Sequence, residues 1–198
     1  MVLNRKILIL FFHPAVYRSR VNRKLLEAAN KLDGVRVREM YEIYPDFHID
    51  VAAEQDLLLE HDLIVWQHPF YWYSSPSLLK EWLDLVLEHG FAYGSQGRAL
   101  EGKMVVSAIS TGGQEKAYHT EGGNRYTIRQ LLAPFDQTVS LCRMHYLPPF
   151  VTHGTHLLEA DKIEEAARHY AMIIQLLRHE ERLLEKVEKL EYLNQLKF

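Results

Sequence analysis

Three uninterrupted apolar runs set the terms for this chain: KILILFF at 6–12, LIVWQH at 63–68 and MVVSAIST at 104–111. A strand with one wet face alternates apolar and polar residues, and these runs do not. Each reads as a strand buried on both faces. Such strands need helices above and below, and the segments between them have helical spacing. Residues 20–32 repeat Val21, Leu25, Ala28, Ala29 and Leu32 at that spacing and stop at Asp33-Gly34. VAAEQDLLLEHD reads as a second helix. SPSLLKEWLDLVLEHG reads as a third, with Ser75 or Ser77 as N-cap and Gly90 just past its end. VRVREMY alternates and predicts a strand with one wetter side. YTIRQLLAPFDQTVSL predicts a helix kinked or split at Pro134. MHYLPPFVTHG holds a last short strand, and from Ala160 onward the chain reads as helical and charged.

Strand and helix therefore alternate through five strands, the order that produces a parallel sheet with helices on both faces. Right-handed crossovers make that sheet doubly wound. Ligands of such sheets lie outside the carboxyl ends of the strands, at the switch point. Three loops fall there.

The first, HPAVYRSRVN at 13–22, runs into a helix start, where free N–H groups and the dipole attract an anion. Ser19 can cap and donate, His13 and Asn22 can donate, and Arg18 or Arg20 adds positive charge. The loop lacks the glycines of a P-loop or a dinucleotide fingerprint, which argues against ATP or a Rossmann-bound NAD. The second, HPFYWYSSP, offers rings that could line a flat heterocycle. The third, STGGQEKAYH, offers the Ser110 and Thr111 hydroxyls, close backbone approach at Gly112 and Gly113, and the Tyr118 phenol. Each loop alone reads equally as an ordinary turn or a core corner. Together they form an anion pocket, a stacking wall and a donor set, which suit a phosphorylated flat ring such as FMN.

Composition removes other classes. The 198 residues suit one domain or one domain with an added element, and the formal net charge is −3, without the basic footprint of nucleic-acid binding. The single cysteine, Cys142, excludes an internal disulfide and reads as a small buried apolar residue. The scattered histidines have no metal-ligand spacing. ILILFF ends in His13-Pro14 without a small-residue cleavage site, so a signal peptide is not expected, and no run approaches the ~18 apolar residues of a membrane span. The expected location is cytoplasmic.

HPAVYRSRVN, YPDFHIDVAAEQ, IVWQHPFYWYSSPSLLKEWLD, GFAYG, STGG and MHYLPP carry a resemblance over roughly residues 3–178. The chain resembles the flavodoxin-like NAD(P)H:quinone oxidoreductases, above all their short bacterial branch. That branch includes the ancillary proteins of glutathione-regulated potassium efflux and the general stress protein 14 type. The resemblance implies an α/β, flavodoxin-like doubly wound five-stranded parallel sheet over 1–178, followed by a charged helical extension over 179–198. It implies FMN rather than FAD. The flavin phosphate would meet His13, Ser19, Arg20, Val21 and Asn22. The isoalloxazine would lie along Pro69, Phe70, Tyr71, Trp72 and Tyr73. Ser110, Thr111, Gly112 and Gly113 would meet its pyrimidine edge, and Tyr118 would hydrogen-bond near the reacting centre. A homodimer is implied, with Tyr93 closing the substrate pocket of the partner chain beside Trp72. Asn124 falls where mammalian-type members carry a histidine that partners the developing charge. Asn can donate a hydrogen bond but cannot titrate.

The reaction expected from this resemblance is ping-pong. Hydride passes from NAD(P)H to the flavin, and the reducing equivalents then pass to a quinone. An alternative is a flavin-bearing regulatory subunit of a potassium-efflux transporter, associated peripherally with the inner face of the cell membrane. A third is a flavodoxin-like electron carrier, although an acidic docking face is not evident.

Overall fold

The computed structural model describes residues 4–180, 183–187 and 189–196. Strand β1 (Ile7–Phe11) is buried along its whole length, as are β3 (Leu63–Pro69) and β4 (Met104–Ser110). Pleating sends alternate side chains to opposite faces. Leu8, Leu10, Ile64, Trp66, Val105 and Ile109 enter one core, while Ile7, Ile9, Phe11, Leu63, Val65 and Val106 enter the other. Both faces are apolar, so the strand sequences cannot alternate. The edge strand β2 (Val35–Glu39) is only partly covered and does alternate.

The sheet is parallel, in the order β2-β1-β3-β4, with the far side of β4 taken by two short strands. These are β5 (His145–Tyr146), paired with Met104 and Val105, and β6 (Phe150–Thr152), paired with Ala108 to Ser110. The single last strand expected from the sequence is thus realised as two. Pro148 and Pro149 lie between them, and proline has no N–H for the ladder.

Helices α1 (Val21–Ala29) and α7 (Ala160–His179) cover one face. The short α2 (Met40–Ile43) follows β2. It covers the other face with α3 (Val51–Glu60), α4 (Ser77–Val86), α5 (Ile128–Leu131) and α6 (Ala133–Leu141). The expected break at Pro134 is there: α5 ends at Leu131 and Pro134 occupies the first turn of α6. Neither Ser75 nor Ser77 caps α4. Pro76 holds the cap position without a side-chain bond, and the Leu78 N–H instead donates to Tyr41 Oη at 3.3 Å.

Beyond His179 the described tail is helical in short pieces. The described residues form a five-residue helix, α8 (Leu183–Val187), and then a tight 3₁₀ turn at Leu193–Gln195. The tail folds back because the outer edge of β6 has backbone groups to satisfy. Asn194 and the Leu193 N–H supply those bonds, and Val187, Tyr192 and Leu193 are buried as they do so. Among the described residues no helix is long and apolar enough to cross a membrane.

Candidate flavin site

The three loops meet at the carboxyl ends of β1, β3 and β4, and two cavities open between them. The first, about 460 Å³, is lined by the β1 loop (His13, Arg18, Ser19, Arg20, Val21, Asn22), by Pro69, Phe70 and Tyr71, and by Ser110 and Gly112. The second, about 370 Å³, is lined by Phe70 through Tyr73, Gly113, Tyr118 and Asn124. Both contain Phe70 and Tyr71, so the cavities adjoin. Each lies within the ~300–1,000 Å³ usual for ligand sites.

The first cavity is built for an anion. Ser19 Oγ accepts the Asn22 N–H at 3.1 Å, which leaves its own proton free. The first N–H groups of α1 have no intrahelical acceptor. His13 Nδ1 accepts the Ala15 N–H at 3.1 Å, so the ring proton sits on Nε2. Burial lowers the His13 pKa, and the imidazole is a neutral donor near pH 7. Asn22 Nδ2 donates to Ser110 Oγ at 2.7 Å and joins the β1 and β4 loops. Among the described residues Asn22 Oδ1 is buried without a partner. Arg20 donates one guanidinium N–H to Leu158 O at 2.9 Å, which holds its charge at the rim.

The second cavity is aromatic with polar points. Trp72 and Tyr73 both adopt left-handed backbone, with φ of 50° and 61°. Such conformations cost about 1–3 kcal/mol each and persist where surroundings or function impose them. Here they leave Trp72 91% exposed at the mouth and aim the Tyr73 hydroxyl at Asn124 Oδ1, 3.3 Å away. The Asn124 amide nitrogen keeps its donors for a ligand. Tyr118 is buried against Phe70, and burial raises its pKa, so it stays a protonated donor. Side chains would be crowded at Gly112 and Gly113: a Cβ would lie 2.8 Å from the tip of the exposed His156 ring and 3.2 Å from the buried Tyr118 ring respectively. Among the described residues neither glycine N–H has a backbone acceptor.

Not every expected residue lines a cavity. Thr111 is fully buried behind the wall, with its hydroxyl donating to Gly113 O at 2.7 Å. Tyr93 lies away from both cavities, beside His89 and in a groove with Leu83, Leu87 and Leu141. Trp66 and His68 belong to the core and pack against Phe135.

A fourth loop, absent from the sequence expectations, completes the site. Thr155 and His156, after β6, line the first cavity. His153 packs behind the second, its ring 5.6 Å from that of Tyr118 and its Nδ1 3.1 Å from Thr111 Oγ1. The signal was present in THGTH: β6 is also a parallel strand, and the carboxyl-end rule applies to it too. In one cavity the start of α1, the Ser19 hydroxyl proton and the His13 Nε2–H offer donors to an anion; it adjoins aromatic walls with the Gly113 amide in the other. Those features fit FMN, phosphate in the first and ring in the second.

Comparison with known proteins agrees. The model of a family with a flavodoxin-like fold matches residues 5–174. The chain is 50% identical over 165 residues to the glutathione-regulated potassium-efflux system ancillary protein KefG of Pectobacterium carotovorum, covering 83% of this chain and 90% of that protein. The solved general stress protein 14 of Treponema denticola, in complex with FMN, superposes with a TM-score of 0.83 at 40% identity, covering 87% of this chain and 99% of that one. An NADPH-quinone reductase from P. pentosaceus superposes with a TM-score of 0.77 at 33% identity, covering 84% and 96%.

Proposed function

The chain belongs to the flavodoxin-like family whose model spans residues 5–174, and from that premise we propose that it is an FMN-dependent NAD(P)H:quinone oxidoreductase. One observation carries the reading: an anion pocket at the start of α1 adjoins an aromatic, amide-lined cavity at the ends of β3 and β4. The FMN-bound stress protein 14 and the NADPH-quinone reductase at 40% and 33% identity support it. In this reading His13, Ser19, Arg20, Val21 and Asn22 hold the phosphate. Pro69 to Tyr73 wall the ring, with Ser110 and Gly112 between the two. FMN, when bound, supplies the hydride chemistry. The chain supplies orientation and preorganised donors: Gly113, Tyr118 and Asn124 line the cavity where charge would accumulate, and their amide and hydroxyl groups are the candidate donors there. Thr111 acts from behind by ordering the Gly113 carbonyl. Trp72 and Tyr73 flank the opening through which nicotinamide and quinone would enter in turn.

Tyr93 enters this scheme only through a second copy of the chain, its ring closing the partner's opening, as a homodimer would allow. Residues 1–178 form the flavin domain in this reading, with 179–198 added to it. The test is direct. The purified protein should be yellow or take up FMN, and should oxidise NAD(P)H with a quinone acceptor in ping-pong kinetics. A colourless chain that ignores added FMN would defeat the reading.

The 50% identity to KefG favours a second role, as a flavin-bearing ancillary subunit of a potassium-efflux transporter at the membrane surface. Pull-down with a transporter's soluble domain separates the two. Retention points to the ancillary role; no retention with robust quinone turnover leaves the enzyme alone.

A further inference from the structure

The described tail segment, residues 189–196, lies past residue 174, where the family match ends, yet it packs against the back of the flavin site. Asn194 grips β6 from the side: its Oδ1 accepts the Val151 N–H at 2.8 Å and its Nδ2 donates to Val151 O at 3.0 Å. The Leu193 N–H donates to Pro149 O at 2.9 Å. Two residues after Val151 comes His153. The Tyr192 ring meets the His153 ring edge-on, at 5.8 Å and 70°, while Tyr118 lies 5.6 Å from that ring.

The proton arrangement behind the site follows from counting. The Thr111 hydroxyl has one proton, and it goes to Gly113 O at 2.7 Å. At the 3.1 Å contact between Thr111 Oγ1 and His153 Nδ1, histidine must therefore be the donor. The Nδ1–H tautomer leaves the Nε2 lone pair buried, and among the described residues it has no partner. Burial holds the His153 pKa at about 4, so the ring is neutral at pH 7.

We propose that the tail segment is a positioning element of the flavin site: Tyr192 and Asn194 hold His153 where its Nδ1–H orients Thr111, and Thr111 in turn fixes the Gly112–Gly113 backbone. His153 is a positioning residue, and its effect on FMN rests on the function proposed above. Two measurements on the full-length chain test it: FMN titration into flavin-free protein, and ¹⁵N NMR of the His153 ring without flavin. His153→Leu removes the donor and should weaken FMN binding about tenfold, the worth of one misplaced hydrogen bond. His153→Asn keeps a short-reach N–H donor and should restore affinity to within about threefold. Tyr192→Leu and Asn194→Ala should each shift the ring from the Nδ1–H tautomer and weaken FMN. If Tyr192→Leu fails to fold, Asn194→Ala, which empties no core, carries the test. Equal losses in His153→Leu and His153→Asn would overturn the proposal, as would an unchanged tautomer and affinity in the tail variants. A parent chain that binds no FMN defeats the function reading instead, and the ring tautomer still decides the positioning.

Discussion

Single side chains divide the site's work between binding and chemistry. Tyr118 is buried, protonated and open to the second cavity, so Tyr118→Phe deletes a donor while keeping the ring in place. Flavin reduction by NAD(P)H, followed by stopped flow, should slow about 10²-fold with FMN affinity nearly unchanged. Ser19 has a different task. Ser19→Ala removes both its free proton and the bond from the Asn22 N–H. FMN binding should weaken about tenfold while riboflavin, which lacks the phosphate, binds as before. A common loss for both ligands would place Ser19 in the scaffold alone. At this scale the sequence was informative about residue type and mute about direction. It marked Thr111 as a donor, but only packing shows that its hydroxyl turns inward. It marked Trp72 and Tyr73 as rings, but their left-handed backbone has no local signature, because aromatic residues ordinarily avoid positive φ.

Among the elements, the firmest tie outside the site is a buried carboxylate. Glu54 on α3 is fully buried and accepts from Trp82 Nε1 on α4 at 2.9 Å, Tyr44 Oη at 2.9 Å and Arg38 on β2. The same contact keeps the Tyr44 phenol protonated, its pKa pushed up to about 12 by burial and then by the Glu54 charge. Glu54→Ala strands Arg38 and the Trp82 N–H, and should cost about 3–5 kcal/mol in urea unfolding. Because these elements pack away from the cavities, FMN affinity of the folded variant should match the parent. VAAEQDLLLEHD reads as a helix, but nothing within it shows that the polar Glu54 points into the core, since its partners lie 10 to 28 residues away along the chain. The split of the last strand at Pro148-Pro149 is the opposite case, legible in retrospect from two missing donors.

For the whole molecule, buried histidines set the acid limit. His68 and His153 are held at about 4 by burial, and His13 and His61 are lowered by the same cause. Each folded pKa lies below the unfolded value near 6.5, so the unfolded chain binds more protons as pH falls through that value. Stability should hold above about pH 6.5 and decline toward pH 4, with wholly buried His68 contributing about 3 kcal/mol of that loss. Denaturation midpoints measured across this window should fall steadily, and His68→Gln should flatten the slope. An unchanged slope would show that His68 does not titrate on unfolding. At this scale the sequence by itself determined the architecture: apolar runs without alternation have to be covered twice, and alternating helices supply the cover. It also determined which three loops share the sheet's carboxyl edge. Only the tertiary structure decided that the THGTH loop joins them and that the tail returns to clasp β6. Those contacts satisfy backbone donors and acceptors on a strand edge, and which distant residue reaches an edge is settled by packing in three dimensions, not by any local pattern.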